Sequence, residues 1–204
     1  MVRKQRFDAR YYERFYLRPR TRAQDPSSAR RKARFLSAYL AHLGVPVRRI
    51  LDIGCGLGWT LAALGRLHPR ARTVGVEASE YLCDRRGWKR GSVVDFRARA
   101  PFDLVVCDDV LPSLSDRDCA RAIANLGRLC RGALFVGILT KEDWRRCDPR
   151  RTDRNVHLRP ASWYRRRLER NFVAVGGGLY LKKPVDVTLW SLEVADRRPG
   201  QTRV

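Results

Sequence analysis

Three glycines at alternating positions follow the apolar run RRILD. Gly54, Gly56 and Gly58 come just after Asp52, where a strand-like run gives way to a helical pattern. A backbone without side chains at such a place lets a ligand approach main-chain N–H groups and the helix N-terminus, which suits a nucleotide-like molecule. The dinucleotide pattern G-x-G-x-x-G needs a small residue one position later, and this chain has Trp59 there. NAD is therefore disfavoured.

Acidic residues end the next two apolar runs. Glu77 closes VGVE, and a carboxylate at that point can accept hydrogen bonds from two ribose hydroxyls. Asp95 closes SVVD and is followed by Phe96. An acid and an aromatic ring suit an adenine, because its exocyclic amine donates a hydrogen bond and its ring stacks. We therefore expect a nucleoside across adjacent strand ends.

The elements that must position these residues follow from the pattern after residue 48. Strand-like runs alternate with helical periods, which predicts βαβ units and a mostly parallel sheet. The five runs are RRILDIG, RTVGVEAS, GSVVDF, FDLVVCDDV and GALFVGILT. Ser115 is the predicted N-cap of a helix between the last two. The segments FVAVGGGLYL and DVTLWSLEV are predicted to pair as an antiparallel hairpin.

The N-terminal part predicts two helices. The first, FDARYYERFYL, places four aromatic rings on about one side and could cap a neighbouring surface, with Tyr11, Tyr12, Phe15 and Tyr16. The second has Asp25 as N-cap and Pro26 at its first position. We predict a helical cap or lid over residues 1–46, a Rossmann-like core over 47–196 and a flexible tail over 197–204.

Composition limits the class of protein. The 204 residues are enough for one core, and the formal net charge is +22. Only six of the 43 basic residues are lysines, and the arginines are spread along the chain, so a compositional bias competes with an anionic partner. The six cysteines form no C-x-x-C pair, which favours reduced thiols over zinc ligands. No apolar run approaches the length of a membrane span, so we expect a cytoplasmic protein.

Taken together, LDIGCGLG, VGVEAS, SVVDF and FDLVVCDDVLPSLSD resemble the successive motifs of class I S-adenosylmethionine-dependent methyltransferases of the small-molecule type, over roughly residues 48–195. The resemblance implies an α/β fold with a doubly wound seven-stranded sheet, parallel except for its last strand. It also implies S-adenosyl-L-methionine as cofactor. No metal is predicted, because a carboxylate triad for a catechol-binding Mg²⁺ is not evident, although Asp108 and Asp109 could be part of one. By motif position the methionine part would lie near Asp52, Gly54, Cys55, Gly56 and Gly58, the ribose near Glu77 and Ala78, the adenine near Asp95 and Phe96, and the methionine or methyl group near Asp108.

The chemistry of such an enzyme demands little of the protein. The sulfonium is already a good leaving group, so the chain must mainly align the acceptor with the S–CH₃ bond and exclude water. A general base matters only for an acceptor that is protonated near neutral pH, and the candidates are His157, Asp108 and Asp109. A surface histidine explains the first of these equally well. Residues that could line the acceptor pocket, or simply form amphipathic helices, are Tyr12, Tyr16, Arg159, Trp163 and Tyr164.

The fourth motif narrows the acceptor. It reads DDVLPS, unlike the Asn/Asp-Pro-Pro-Tyr/Phe motif of enzymes that methylate base amines. The resulting hypothesis is methyl transfer to a small acceptor, an anionic one included, through oxygen, nitrogen or carbon. Two alternatives stay open: an RNA methyltransferase that uses the basic surface, and a non-catalytic protein that binds S-adenosylmethionine. The sequence predicts neither the oligomeric state nor a membrane partner.

Overall fold

A seven-stranded sheet forms the centre of the chain in a computed structural model that describes residues 7–195. The strands are β1 Arg49–Ile53, β2 Arg72–Glu77, β3 Lys89–Arg90, β4 Phe102–Asp108, β5 Cys130–Gly137, β6 Phe172–Gly176 and β7 Leu179–Lys182. Their order is β3-β2-β1-β4-β5-β7-β6. Strands β1 to β5 pair in parallel, and β7 runs antiparallel to both β5 and β6. The predicted sheet, mostly parallel with an antiparallel last strand, is confirmed. The predicted tail over 197–204 lies outside the described residues.

Helices cover both faces of the sheet. They are α1 Ala9–Tyr12, which continues as a π-helix over Glu13–Leu17, then α2 Pro26–His42, α3 Trp59–Leu67, α4 Glu80–Arg86, α5 Asp116–Leu129 and α6 Ala161–Leu168. Side chains alternate along a strand, so Val105 and Cys107 of β4 pack with α5 and α6, while Leu104 and Val106 pack with α2 and α3. The two apolar layers make the sheet doubly wound.

Local side-chain chemistry sets two helix starts as the sequence predicts. The Asp25 carboxylate accepts a hydrogen bond from Ser28 N at 2.8 Å, and Ser28 Oγ accepts one from Asp25 N at 3.0 Å. Ser115 Oγ accepts one from Asp118 N at 3.2 Å at the start of α5. Helix α2 packs its apolar face on the sheet beside α3, so it belongs to the helical layer. Residues 7–17 lie over the carboxyl edge of the sheet, and the start of α2 reaches the same edge through Lys32.

The predicted terminal hairpin is wrong in its position. FVAVGGGLYL, predicted as one strand, forms both β6 and β7, because Gly176, Gly177 and Gly178 adopt φ of 89°, 59° and 77° and reverse the chain. DVTLWSLEV forms no strand and leaves Trp190 72% and Leu192 100% exposed. The antiparallel pair is therefore present one segment earlier than predicted.

The third predicted strand is also shorter than its pattern suggests. Strand β3 ends at Arg90, and the following GSVVDF turns, with Phe96 N donating to Ser92 O at 2.8 Å. The turn leaves Asp95 exposed. A period-two apolar pattern cannot distinguish a strand from a turn that packs two valines, so tertiary packing decides here.

Three further observations concern the chemistry that the chain can carry. None of the helices described for residues 7–195 combines the length and apolar composition needed to cross a bilayer. All six cysteines are free thiols. Within the same range, no group of three or more His, Cys, Asp or Glu side chains is placed to hold a metal ion.

Candidate functional site

The loop between β1 and α3 carries the three glycines in left-handed conformations. Gly54, Gly56 and Gly58 have φ of 80°, 53° and 76°. A Cβ on Gly54 would lie 2.2 Å from Val110 Cγ2, so the loop after β4 approaches the glycine backbone closely. Gly54 N donates to Val76 O at 2.8 Å and ties the loop to β2. The bare backbone therefore forms one wall of an opening at the carboxyl edge.

Trp88 supports this loop from behind, and sequence reasoning did not single it out. Its Nε1 donates to Gly56 O at 3.0 Å. Its ring fills the space that a Cβ would need at two glycines, 2.4 Å from one on Gly58 and 2.7 Å from one on Gly75. A glycine inside a strand marks close approach by another group, so Gly75 was the available signal. Gly58 is therefore a packing residue as well as a loop residue.

Glu77 at the end of β2 shapes the glycine loop. Its buried carboxylate accepts hydrogen bonds from Gly56 N at 2.8 Å, Ala78 N at 2.8 Å and Ser79 N at 3.0 Å. A carboxylate has about four acceptor positions, so three are occupied by the chain. One strong position remains for a ligand hydroxyl.

A central cleft opens over these strand ends, and its empty space amounts to about 640 Å³ when the open mouth is included. The central cleft is lined by Phe7, Tyr11, Tyr12, Tyr16, Gly54, Gly56, Glu77, Ala78, Gly91, Ser92, Val93, Asp108, Asp109, Val110, Ser113 and Leu114. Eight of the site residues predicted from the sequence are among them. Apolar, aromatic and acidic groups converge here, as in sites for nucleoside-like ligands.

The aromatic segment at residues 7–17 forms the outer wall of the central cleft. Tyr12 is 4% exposed and stacks on Tyr81 at 6.2 Å between ring centroids, and Ser79 Oγ donates to Phe7 O at 2.7 Å in the same segment. Tyr16 Oη lies 3.6 Å from the position of a Cβ on Gly56. Burial and the nearby Glu77 raise the pKa of Tyr12 well above its usual range, so its hydroxyl stays protonated. The segment is anchored to the end of β2 on the cleft side.

A second cavity, the Lys32 pocket, adjoins the central cleft. It is lined by Tyr16, Ala23, Gln24, Ser28, Lys32, Asp52, Gly54, Cys55, Thr60, Asp108 and Asp109. Lys32 reaches from α2 to form an ion pair with the Asp108 carboxylate. Sequence reasoning missed Lys32, although it lies three residues after the buried Ala29 and four before the buried Leu36, on the apolar stripe of α2. A lysine on an apolar stripe is the signal that could have found it.

Asp52 faces the Lys32 pocket without a hydrogen-bond donor. It is 3% exposed, and no residue among 7–195 donates a hydrogen bond to its carboxylate. Burial, and next the neighbouring Asp108, raise the pKa of Asp52 to about 8, while Lys32 opposes the rise. Its oxygens border the open pocket and are not among the buried unpartnered side-chain atoms of the described residues. A cationic group on a ligand would supply the missing partner.

Asp109 stands where three cavities meet. It lines the central cleft, the Lys32 pocket and an outer cavity lined by Tyr11, Phe15, Tyr16, Ala23, Asp109, Leu139, Cys147, Asp148, Arg151, Thr152, Asp153 and Val156. Its φ of 57° turns the chain sharply after β4, and its N donates to Gly137 O at 2.8 Å. The residue is exposed to these open cavities. Partial desolvation, then Asp108 and Asp153, raise the pKa of Asp109 above its usual value.

Seven predicted site residues line none of the three cavities, namely Gly58, Asp95, Phe96, His157, Arg159, Trp163 and Tyr164. His157 is exposed, and its N donates to Pro112 O at 2.8 Å. Asp95 is exposed in the turn after β3, and Phe96 packs against the core. Gly91, Ser92 and Val93 occupy the strand-end position in their place. The structure therefore brings neither His157 nor Asp95 to the central cleft.

The predicted cluster at Arg159 supports the cleft from outside. Arg159 is 3% exposed and donates to Asp116 Oδ1 at 2.7 Å, Tyr164 Oη at 3.1 Å and Leu114 O at 2.5 Å. Its guanidinium lies 4.9 Å from the Trp163 ring centroid. All of these contacts are within the chain, and none of Arg159, Trp163 and Tyr164 lines the three cavities. Arg159 holds the segment after β4 whose Leu114 lines the cleft.

Part of the chain matches a described protein family and a curated relative. Residues 51–132, from β1 to the start of β5, match the family described as "Methyltransferase domain". A malonyl-[acyl-carrier protein] O-methyltransferase from Legionella pneumophila is 40% identical over 83 residues, which cover 35% of this chain and 29% of that protein. The match thus spans less than a third of the length of the curated relative.

Solved structures share the fold. Magnesium protoporphyrin IX methyltransferase from Synechocystis PCC 6803, with bound SAH, superposes with a TM-score of 0.59 at 16% identity, over 76% of this chain and 83% of that chain. DesVI from Streptomyces venezuelae gives a TM-score of 0.59 at 16% identity, over 77% and 92%. The doubly wound sheet is therefore the class I methyltransferase fold, and the resemblance stated from the sequence motifs is confirmed.

Proposed function

We propose that this chain, which has the class I methyltransferase fold and matches a methyltransferase domain over residues 51–132, is an S-adenosyl-L-methionine-dependent methyltransferase that acts on a small-molecule acceptor. The observation that carries the proposal is the placement of Asp52, Asp108 and Lys32 around one pocket beside the glycine loop. Two acids and a lysine around one pocket offer partners for the ammonium and the carboxylate of an amino acid. The adjoining central cleft offers Glu77 for a ribose hydroxyl.

The chain's own groups have distinct tasks in this proposal. Asp52 would accept the ligand ammonium and so gain the partner it lacks, while Lys32 would face the ligand carboxylate. When bound, S-adenosyl-L-methionine supplies a methyl group on a positively charged sulfur. Tyr12 and Tyr16 exclude water from the central cleft, which strengthens every electrostatic contact inside it. Asp109 is the carboxylate placed to hold a proton of the acceptor, because it joins the central cleft to the outer cavity.

The RNA alternative is less well supported. Arginines dominate the protein, but the described lining of the three cavities has six acids and only two basic residues, namely Asp52, Glu77, Asp108, Asp109, Asp148 and Asp153 against Lys32 and Arg151. A nucleotide entering with its phosphates would meet like charge. Filter binding over a salt series tests this, because a nucleic-acid substrate gives a steep loss of affinity as salt rises.

Isothermal titration with S-adenosyl-L-methionine tests the proposal. The unmodified protein should bind, and Lys32→Met should weaken binding about tenfold, the effect of about 1.4 kcal/mol. Asp95→Asn is the matched control, because that acid lies outside the cleft and its loss should leave the affinity unchanged. Absence of binding by the unmodified protein, or equal losses in both variants, would contradict the proposed site.

Turnover separates an enzyme from a non-catalytic binding protein. The protein is incubated with methyl-labelled S-adenosyl-L-methionine and a pool of small metabolites, and label is followed into new products. An enzyme transfers label beyond a heat-inactivated control. Binding of the methyl donor without any transfer would favour the non-catalytic alternative.

A further inference from the structure

A further cavity lies at the amino edge of the sheet, opposite the edge that carries the central cleft. Its walls are the loop before β1, the starts of β4 and β5, and the chain from the end of β7 to Val187. This amino-edge cavity has a volume of about 450 Å³, within the range of about 300–1,000 Å³ found for small-molecule sites. Asp103 borders it and lies five residues before Asp108 on β4, so roughly 17 Å of strand separates it from the central cleft.

A β-bulge positions Arg131 at the amino-edge cavity. Strand β5 takes three residues, from Cys130 to Ala133, to cover a distance for which the paired strand β4 takes two. The extra residue lies at Arg131 and Gly132, where a Cβ on Gly132 would be 2.5 Å from Asp103 O. Bulges change the direction in which a side chain points. Here the bulge brings Arg131 to the Asp103 carboxylate.

Asp103 fixes the Arg131 guanidinium. The buried carboxylate accepts hydrogen bonds from Arg48 N and Arg49 N at 2.8 Å, both on Oδ2, and from Arg131 Nε at 2.7 Å on Oδ1. Burial alone would raise the pKa of Asp103, but these three hydrogen bonds outweigh it and hold the pKa below its usual value. Asp103 is therefore ionised at neutral pH, and Arg131 is attached to it through Nε.

The terminal nitrogens of Arg131 are free to bind a ligand. Its side chain is half exposed, and Nη1 and Nη2 donate to no residue among 7–195. A planar guanidinium held through Nε presents these two nitrogens as a fork that matches two oxygens of a carboxylate or a phosphate. Arg48 brings a second guanidinium to the amino-edge cavity, and that side chain has no hydrogen-bond or ion-pair partner in the described part of the chain.

The charge of the amino-edge cavity favours an anion. Its described lining has three basic side chains and two acids. One of the acids, Asp103, is paired with Arg131, and the other, Asp186, is exposed to solvent on the chain after β7. The third base, Lys182, donates to Asn171 Oδ1 at 3.3 Å. The two arginines are therefore the groups available to an anionic ligand.

Apolar side chains form the rest of the amino-edge cavity. Leu181 is buried, and Val45, Val185 and Val187 are half-buried and pack against the apolar layer that contains α2 and α3. A ligand that covers these side chains removes further apolar surface from water, which stabilises the complex. The lining thus combines two guanidinium groups with an apolar surface.

We propose that the amino-edge cavity binds an amphiphilic anion, whose carboxylate or phosphate lies on Arg131 and Arg48 and whose apolar body covers Val45 and Val185. The site is independent of the proposed function, because none of its residues lines the central cleft or the Lys32 pocket. Carboxylates and phosphates share the chemistry that the arginine fork recognises, and matched ligands distinguish them.

Titrations followed by ¹H–¹⁵N NMR test the proposed site with octanoate, octyl phosphate, 1-octanol and octylammonium. At least one of the two anions should bind saturably with a Kd of about 1 mM or lower, and about tenfold more tightly than the alcohol and the ammonium. The amide signals of Val45, Gly132 and Val187 should shift, while that of Gly56 in the central cleft should not. The tighter anion identifies the head group. Equal binding of octanoate and 1-octanol, or no saturable shift at these amides with either anion, overturns the proposal.

Single-charge variants separate this site from general attraction to a basic protein. Arg48→Gln should weaken binding of the anion about fivefold, and Asp186→Asn should strengthen it about twofold, because each changes one charge of the lining and leaves the hydrogen bonds of Asp103 in place. Arg66→Gln is the matched control, since this arginine is exposed on α3 outside the amino-edge cavity. Equal losses in Arg48→Gln and Arg66→Gln, or weaker binding in Asp186→Asn, would refute the site.

Discussion

Replacing Asp52 by asparagine should stabilise the ligand-free protein and weaken its binding of S-adenosyl-L-methionine. Asp52 is 3% exposed, lies beside Asp108 and receives no hydrogen bond from the described residues. Its ionised form is therefore unfavourable until a cation arrives. The asparagine side chain has nearly the same shape as the aspartate and carries no charge.

The magnitude follows from the pKa of the Asp52 carboxyl. Burial and Asp108 raise it from 3.8 to about 8. At about 1.4 kcal/mol per pKa unit, the shift sets an upper limit of roughly 6 kcal/mol on the destabilisation by the ionised group. Lys32 and water in the open cavities reduce this destabilisation, and the asparagine amide must also be desolvated. We therefore expect Asp52→Asn to raise the free energy of unfolding by ~2 kcal/mol. For a chain of this size the melting temperature should rise by about 4–8 °C.

The direction in which the stability gain of Asp52→Asn changes with pH shows whether the Asp52 carboxyl causes that gain. Below about pH 4 the carboxyl is neutral in both the folded and the unfolded protein, so the variant and the unmodified protein should differ least there. As pH rises, the unfolded chain ionises first, and the unmodified protein loses stability until about pH 8, above which the difference is complete. The gain from the variant should therefore grow between these two limits.

Calorimetric melting of both proteins at about pH 5 and pH 8 measures this gain, and titration with S-adenosyl-L-methionine should show affinity lowered about tenfold at pH 7. Asp95→Asn controls for the removal of an exposed acid. A variant that melts lower at both pH values, or a gain that shrinks as pH rises, would refute the assignment of Asp52 as a buried carboxylate that awaits a cation.

Three further predictions concern two residues that support the central cleft and one that lies outside it. Trp88→Phe keeps most of the packing but loses the hydrogen bond to Gly56 O, so chemical denaturation should show a loss of about 1 kcal/mol, and donor affinity should fall with it. Arg159→Met should cost about 3 kcal/mol by the same measurement, because Leu114 O loses its buried donor. His157→Ala should change stability by less than about 0.5 kcal/mol and leave donor binding intact in titration, since the side chain is exposed outside the cavities.

Features of the fold that depend on residues close together in the sequence can be predicted from the sequence alone. Asp25 and Ser115 act within their own first helical turn, so their roles as N-caps could be predicted without tertiary information. The alternating runs likewise predicted the parallel sheet. The pattern predicts the hairpin one segment too late, because the apolar residues on both sides of Gly176, Gly177 and Gly178 read as one continuous strand, while the three glycines reverse the chain.

The site was predictable only in part, for a related reason. Glu77 ends a strand that the sequence marks clearly, and it lies in the central cleft as expected. Asp95 was assigned to a strand end that lies five residues earlier, and it points to solvent. Lys32 meets Asp108 from 76 residues away, a contact that depends on how α2 packs against the sheet. Contacts between residues so far apart in the sequence are decided by tertiary packing. In the sequence this contact leaves only one irregularity, a lysine on the apolar stripe of α2.

The acidic lining of the cavities inside a protein of net charge +22 has a consequence for how fast a cation can arrive. At long range the approaching molecule experiences repulsion from the whole protein, and attraction begins only near the entrance. Added electrolyte screens the long-range repulsion over a Debye length of about 8 Å at physiological ionic strength, yet it affects enclosed charges much less. Encounter should therefore accelerate as ionic strength increases, the opposite of ordinary electrostatic steering between unlike charges.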